Sequence, residues 1–351
     1  MKKNTYSGIQ TIAIHAGEGP DPTTNASAPP IHMSSTFVSE EAAGFSAHDL
    51  TDDSPWLYAR WANPTVSMLE KKIAAIEGVE DALCTASGMA AATAIFLTFL
   101  QKGDHVIISD VSYAGVAELA RDTLPRFGIE TTFVDMADLE AVEAAMRKNT
   151  KLVHIETPVN PILRLTDVKA VKEITLKAGA LLSADCTFST PIGAKANALG
   201  IDLIMHSATK YLCGHGDAVG GVIAGSKSLI SRLRLEAGIH HGGVMSPFNA
   251  WLISRGVATL PLRMEAHQKN ATTLANWLEN HPSVTDVKYP GLESHPQYDL
   301  ALKQMNNFSA MLSFQVGNEE AGKKLANKMA QKLEVIPVSY THLTLPTRAV
   351  V

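Results

Sequence analysis

Asp185 and Lys210 are ionisable residues placed where chemistry is easily done. Asp185 ends the apolar run Ala-Leu-Leu-Ser-Ala at 180–184, and Lys210 closes His-Ser-Ala-Thr-Lys at 206–210, just past the apolar run 201–205. In an open parallel sheet, ligands bind beyond the carboxyl ends of the strands, so both side chains are expected at one crevice. A carboxylate there keeps a pyridine nitrogen protonated and makes the ring an electron sink. A lysine there forms an imine with an aldehyde and shuttles protons. The pair suits pyridoxal 5′-phosphate (PLP). The plainer alternative is a surface lysine and a strand-end aspartate that caps a helix.

The neighbours shift that balance. Ser207 and Thr209 bracket the lysine with hydroxyls, as a phosphate cradle would. Ser87, Gly88 and Met89 open an apolar helical stretch, Ala90 to Leu100, and the N–H donors of a helix start suit an anion. Ser87 is equally an ordinary N-cap. Tyr113 follows the apolar run 106–109 and either stacks on a flat cofactor or is a rim tyrosine. Asn160 either bonds a phenolic oxygen or is a turn residue before Pro161. Tyr58 and Arg60 stand apart in an N-terminal arm. A guanidinium there suits bidentate phosphate binding and could serve a neighbouring subunit.

The elements that must position these residues follow from periodicity. Val66, Leu69, Ile73 and Ile76 are spaced for one helix face. Strands are predicted at 105–109, 130–134, 151–156, 180–185, 201–206 and 219–224. Apolar on both faces and alternating with helices, they indicate a mainly parallel sheet covered by helices, an α/β fold. A long helical pattern is predicted from 248 to about 278, then strands at 284–289 and 310–316 and a helix at 319–331, an α+β C-terminal part. The expected organisation is an arm (1–55), a large cofactor-binding domain (56–245) and a smaller α+β domain (246–338).

Composition narrows the function. The chain has 351 residues, 46% hydrophobic and 19% charged, with a formal net charge of −5; no basic face for nucleic acid is implied. No apolar run reaches the roughly 18 residues that span a bilayer. Cys84, Cys186 and Cys213 form no metal-binding spacing, so no metal site is expected, and free thiols fit a reducing compartment, the cytoplasm.

The chain resembles the Cys/Met-metabolism (trans-sulfuration) family of PLP enzymes. The most specific stretch is 202–217, Asp-Leu-Ile-Met-His-Ser-Ala-Thr-Lys-Tyr-Leu-Cys-Gly-His-Gly-Asp, where the family usually has Asn in place of Cys213. Also similar are Tyr58-Ala59-Arg60 with Asn63-Pro64-Thr65, Ala86-Ser87-Gly88-Met89-Ala90, Glu156-Thr157-Pro158 with Asn160-Pro161, and Ser246-Pro247 with Arg255-Gly256 and Leu262-Arg263-Met264-Glu265. The resemblance implies the aspartate-aminotransferase type of fold (fold type I). It makes Lys210 the cofactor lysine, Asp185 the partner of the pyridine nitrogen, and Tyr113 the stacking residue that helps to protonate the leaving group. Gly88, Met89, Ser207 and Thr209 bind the phosphate, Tyr58 and Arg60 reach it from the adjacent subunit, and the assembly is a homotetramer.

The implied chemistry is γ-elimination or γ-replacement on a sulfur amino acid. Val338-Ser339 stands where cystathionine enzymes usually carry Glu before Ser, which looks more like a methionine γ-lyase or a sulfhydrylase; the expected reaction is γ-elimination of the methionine or cystathionine γ-lyase type. The alternatives are γ-replacement by a cystathionine γ-synthase or sulfhydrylase, another class of PLP enzyme such as an aminotransferase, and an inactive PLP-binding fragment. Beyond Ser339 the pattern fails. The expected motifs and the arginine for the substrate carboxylate are missing, Arg348 stands in a different context, and 339–351 reads as a non-native tail on an incomplete C-terminal domain.

Overall fold

The computed structural model describes residues 8–39, 46 and 54–332. Val338-Ser339 and the tail 339–351 lie outside the described residues. The main element is a seven-stranded sheet of β1 (Asp81–Thr85), β2 (His105–Ser109), β3 (Glu130–Val134), β4 (Thr150–Glu156), β5 (Leu181–Asp185), β6 (Leu203–His206) and β7 (Gly221–Gly225). Its order is β1-β7-β6-β5-β4-β2-β3. The pairs β2/β3, β2/β4, β4/β5 and β5/β6 are parallel. Only β7 runs against its neighbours, β1 and β6.

The strands inside the sheet read as apolar on both faces because both faces are buried, while the edge strand β3 buries only Val134. Successive side chains point to opposite sides. Cys84, Ile107, Val153, Leu182 and Ile204 pack on one side with Leu69 and Ile73 of the helix Pro64–Glu77. Leu83, Ile108, Leu152, Leu203 and Ile223 pack on the other with Ile95 and Phe96 of the helix Gly88–Phe99. A smaller core of Ala275, Leu278, Val287, Tyr289 and Leu292 forms beside the antiparallel pair β8 (Asp286–Lys288) and β9 (Ser313–Gln315).

Three features differ from the sequence reading. β1 was not expected, because Ala82, Leu83 and Cys84 carry no β-branched signal; its extended form is set by pairing with β7 from Asp81↔Gly225 to Thr85↔Gly221. The long helix predicted from 248 divides into Pro247–Ala258 and Leu260–Glu279. Pro261 explains the break, since it lacks an N–H and its ring clashes with the carbonyl four residues back. Part of the arm also belongs to its own chain's core: Ala13 is buried there, and the buried Lys72 amine donates to the carbonyls of Ala13 (3.1 Å) and Ile14 (2.9 Å) and pairs with Glu18.

Candidate active site

A cavity of ≈ 220 Å³ opens beyond the carboxyl ends of β4, β5 and β6. Its wall carries Lys210, Asp185, Tyr113, Asn160, Ser87, Gly88, Met89, Ser207 and Thr209, nine of the residues singled out above. They arrive from five places in the chain. Asp185 ends β5, and Ser207, Thr209 and Lys210 follow β6. Tyr113 precedes the short helix Ala114–Glu118, Asn160 follows β4, and Ser87 to Met89 open the helix behind β1.

Local bonds hold this wall in shape. Ser87 is the N-cap of its helix and accepts from Ala90 N–H (3.1 Å). Gly88 passes so close to Ser207 that a Cβ would lie 2.8 Å from the Ser207 Cβ, so the helix start and the lysine loop touch only because residue 88 has no side chain. Asp185 Oδ1 accepts from the Thr187 N–H (2.9 Å) and hydroxyl (2.5 Å), and the Thr187 hydroxyl accepts from Ser207 N–H (2.8 Å). Thr187 thus ties the aspartate to the lysine loop. Thr209 faces the cavity, but its N–H and hydroxyl both donate to Gly220 O (3.2 Å each). It therefore fastens the lysine loop to the chain before β7, and a phosphate would have to compete for those donors. Cys213 fits in place as a buried thiol that donates to Asp217 (3.1 Å).

Tyr58 and Arg60 are not on this wall. Arg60 lies 5.2 Å from the Tyr58 ring centroid, donates to the Ile239 carbonyl and lines a separate small crevice with Glu70, Cys84 and Arg234. Glu156, Thr187, Phe188 and Met205 line the cavity without having been singled out. A carboxylate at the end of an apolar strand is the signal that marks Asp185, and it marks Glu156 equally. Thr187 is legible as an Asx turn on Asp185.

Burial shapes the ionisation of this region. Glu156 is pushed up to about 8, first by burial and then by the negative charge of Asp185. Behind the wall, buried His154 bonds the Ser183 hydroxyl (2.8 Å) and is pushed down to about 4 by burial, although Asp185 favours its charged form.

The wall fits PLP. The side-chain oxygen of Asn160 is buried without a partner, which a polar ligand would relieve. The carboxylate of Asp185, the amine of the half-buried Lys210 and the N–H groups of the helix start at Ser87–Gly88 are the three kinds of partner that a ring nitrogen, an aldehyde and a phosphate require. Among the described residues no group of His, Cys, Asp and Glu could hold a metal ion. Fold and site together define a PLP-dependent enzyme of fold type I.

Comparison with known proteins narrows the class. The Cys/Met metabolism PLP-dependent enzyme family matches residues 10–341. An L-methionine gamma-lyase of Fusobacterium nucleatum is 42% identical over 333 residues, 94% of this chain and 83% of that protein. A cystathionine gamma-lyase of Bacillus subtilis is 40% identical over 349 residues, 96% of this chain and 89% of that protein. The crystal structure of a cystathionine gamma-lyase from Lactobacillus plantarum, complexed with L-serine, is 35% identical with a TM-score of 0.84, covering 91% of this chain and 82% of that one. The chain belongs to the Cys/Met metabolism PLP-dependent enzyme family. It is a PLP-dependent enzyme of sulfur amino-acid metabolism, of the γ-elimination type.

Proposed function

We propose that the enzyme cleaves methionine or a closely related sulfur amino acid, taking up water and releasing a thiol, a 2-oxo acid and ammonia. The observation that carries this reading is the convergence of Lys210, Asp185 and Tyr113 on one cavity. PLP, when bound, supplies the electron sink that makes the α- and β-protons of an amino acid acidic. Lys210 would hold the cofactor, yield it to the substrate amine, and then take and return the substrate protons at its Nζ. Asp185, held by Thr187, would keep the pyridine nitrogen charged. Tyr113 would offer its ring to the cofactor face and its hydroxyl to the departing sulfur. Asn160 would hydrogen-bond the phenolic oxygen, and Ser87, Gly88, Met89, Ser207 and Thr209 would surround the phosphate.

The phosphate would be completed by Tyr58 and Arg60 of a second subunit, within a homotetramer. Their absence from their own chain's cavity supports that reading. We also propose the cytoplasm as its compartment, in keeping with three free, buried cysteines; no helix among the described residues is long and apolar enough to cross a membrane. The arm (1–55), large domain (56–245) and C-terminal α+β domain (246–338) remain the proposed division.

The test is a product assay on the purified holoenzyme with methionine, with cystathionine, and with O-acylhomoserine plus cysteine. The expected result is 2-oxobutanoate and methanethiol from methionine. Cystathionine formed from O-acylhomoserine and cysteine, with no 2-oxobutanoate from methionine, would replace this reading by γ-replacement.

A further inference from the structure

Glu156 ends β4 directly opposite Asp185 in the parallel register, and only 6% of its surface is exposed. Two neighbouring buried carboxylates are costly unless each is bonded. One oxygen of Asp185, Oδ1, accepts from Thr187. The Glu156 side chain bonds elsewhere: Oε2 accepts from Tyr113 N–H (2.7 Å) and Oε1 from Asn160 N–H (3.0 Å). Those two amides belong to different loops, one after β2 and one after β4. Each carries a side chain on the cavity wall, an aromatic ring and an amide.

Among the described residues neither the Tyr113 hydroxyl nor the Asn160 side-chain oxygen finds a partner. Tyr113 is 45% exposed. The position of ring and amide is therefore governed by the backbone from which they spring, and one carboxylate spans the two backbones. We propose that Glu156 is a positioning residue of the active site, whose two oxygens fix Tyr113 and Asn160 relative to each other and to the cofactor on Lys210. The inference rests on the site assignment made above. It accounts for a buried acid where an apolar side chain would be cheaper. The ionised form is the one that accepts from both amides best, and burial and Asp185 oppose it; a cationic ring against Asp185 relieves the second of these.

Glu156→Gln keeps the shape but sets an NH₂ group against one of the two N–H donors. One loop is then released. Displacement of a positioned group by about 1 Å costs on the order of 100-fold. We expect kcat to fall roughly 10- to 100-fold, and the visible circular dichroism of the bound cofactor to change in size or sign, while borohydride still fixes the cofactor to Lys210. A purely structural role would lower Tm and leave the dichroism and kcat of the folded protein as in the wild type; that result overturns the proposal. If borohydride places the cofactor on another lysine, the site assignment fails instead, so the two failures are distinguishable. Should Glu156→Gln not fold, amide exchange in the wild-type holoenzyme decides. Tyr113 and Asn160 amides that exchange as slowly as those of β4 support the proposal, and exchange as fast as an exposed loop overturns it.

Discussion

Beside β1, Arg234 bonds Glu70 (2.9 Å) and the Ala82 carbonyl (2.9 Å) and reaches Asp81 (3.4 Å), while the other Glu70 oxygen accepts from Cys84 N–H (2.9 Å). Beyond β4–β6, Lys210, Asp185 and Asn160 face a cavity, and the Asn160 oxygen has no partner. The residue types are alike in the two regions, buried acids with a basic residue nearby. In the first, burial raises Glu70 and the Arg234 charge opposes that rise, and the bonding is spent within the protein. In the second, part of it is left for a ligand. Unspent hydrogen-bonding capacity in a cavity, more than charge, separates a site from a staple.

The sharpest way to break the comparison is to remove the amine proposed to hold the cofactor. Lys210→Ala should lower turnover by on the order of 10³-fold or more with little change in Tm of the apoprotein, because the half-buried side chain faces the cavity. Product assays and borohydride peptide mapping check this. A variant with near-wild-type turnover, or cofactor fixed to another lysine in the wild type, would show that the cavity is not the reaction site.

The converse belongs to the staple. Arg234→Met should leave Glu70 buried and unpaired, at a cost of roughly 3 kcal/mol, read from the denaturant midpoint. The kcat of the folded fraction should stay within about threefold, since Arg234 bonds Glu70, Asp81 and the Ala82 carbonyl and is not on the cavity wall. If turnover collapses while stability holds, Arg234 itself takes part in function and the contrast dissolves.

Most of this architecture could be read along the chain. The strands 105–109 and 130–134 have the predicted bounds, since the β-branched residues of His-Val-Ile-Ile-Ser and Glu-Thr-Thr-Phe-Val favour extended chain. The convergence of Asp185 and Lys210 followed from strand ends alone. Three things were less legible, each for a physical reason. β1 owes its form to β7, a long-range pairing that Ala82 and Cys84 do not announce. Phe188 and Met205 join the wall through the path of the chain, and an apolar residue there looks like any core residue. Tyr58 and Arg60 stand out by residue type, but their own chain's fold keeps both off the cavity wall and carries Arg60 to the β1 crevice, so any service to a cofactor needs a partner subunit.

The smallest effect concerns the pH response of the layer behind the cavity. His154 is buried against the Phe96 ring, 5.2 Å between centroids, and bonded to Ser183. Burial lowers it from 6.5 to about 4 in the folded protein. Between those values the unfolded chain binds a proton that the folded chain refuses. The stability that depends on neutral His154 is therefore complete above pH 6.5, declines as pH falls towards about 4, and declines no further below. The slope of one proton is roughly 1.4 kcal/mol per pH unit. His154→Asn keeps a polar partner for Ser183 and does not titrate. Its stability at pH 7 should be lower, through the space opened beside Phe96. The informative quantity is the slope. Between pH 6.5 and 4, plots of unfolding free energy against pH for the two proteins should converge by up to that amount per unit, because the variant no longer excludes a proton. Parallel plots would mean that His154 titrates normally and that the layer beneath Asp185 is wetter than its packing implies.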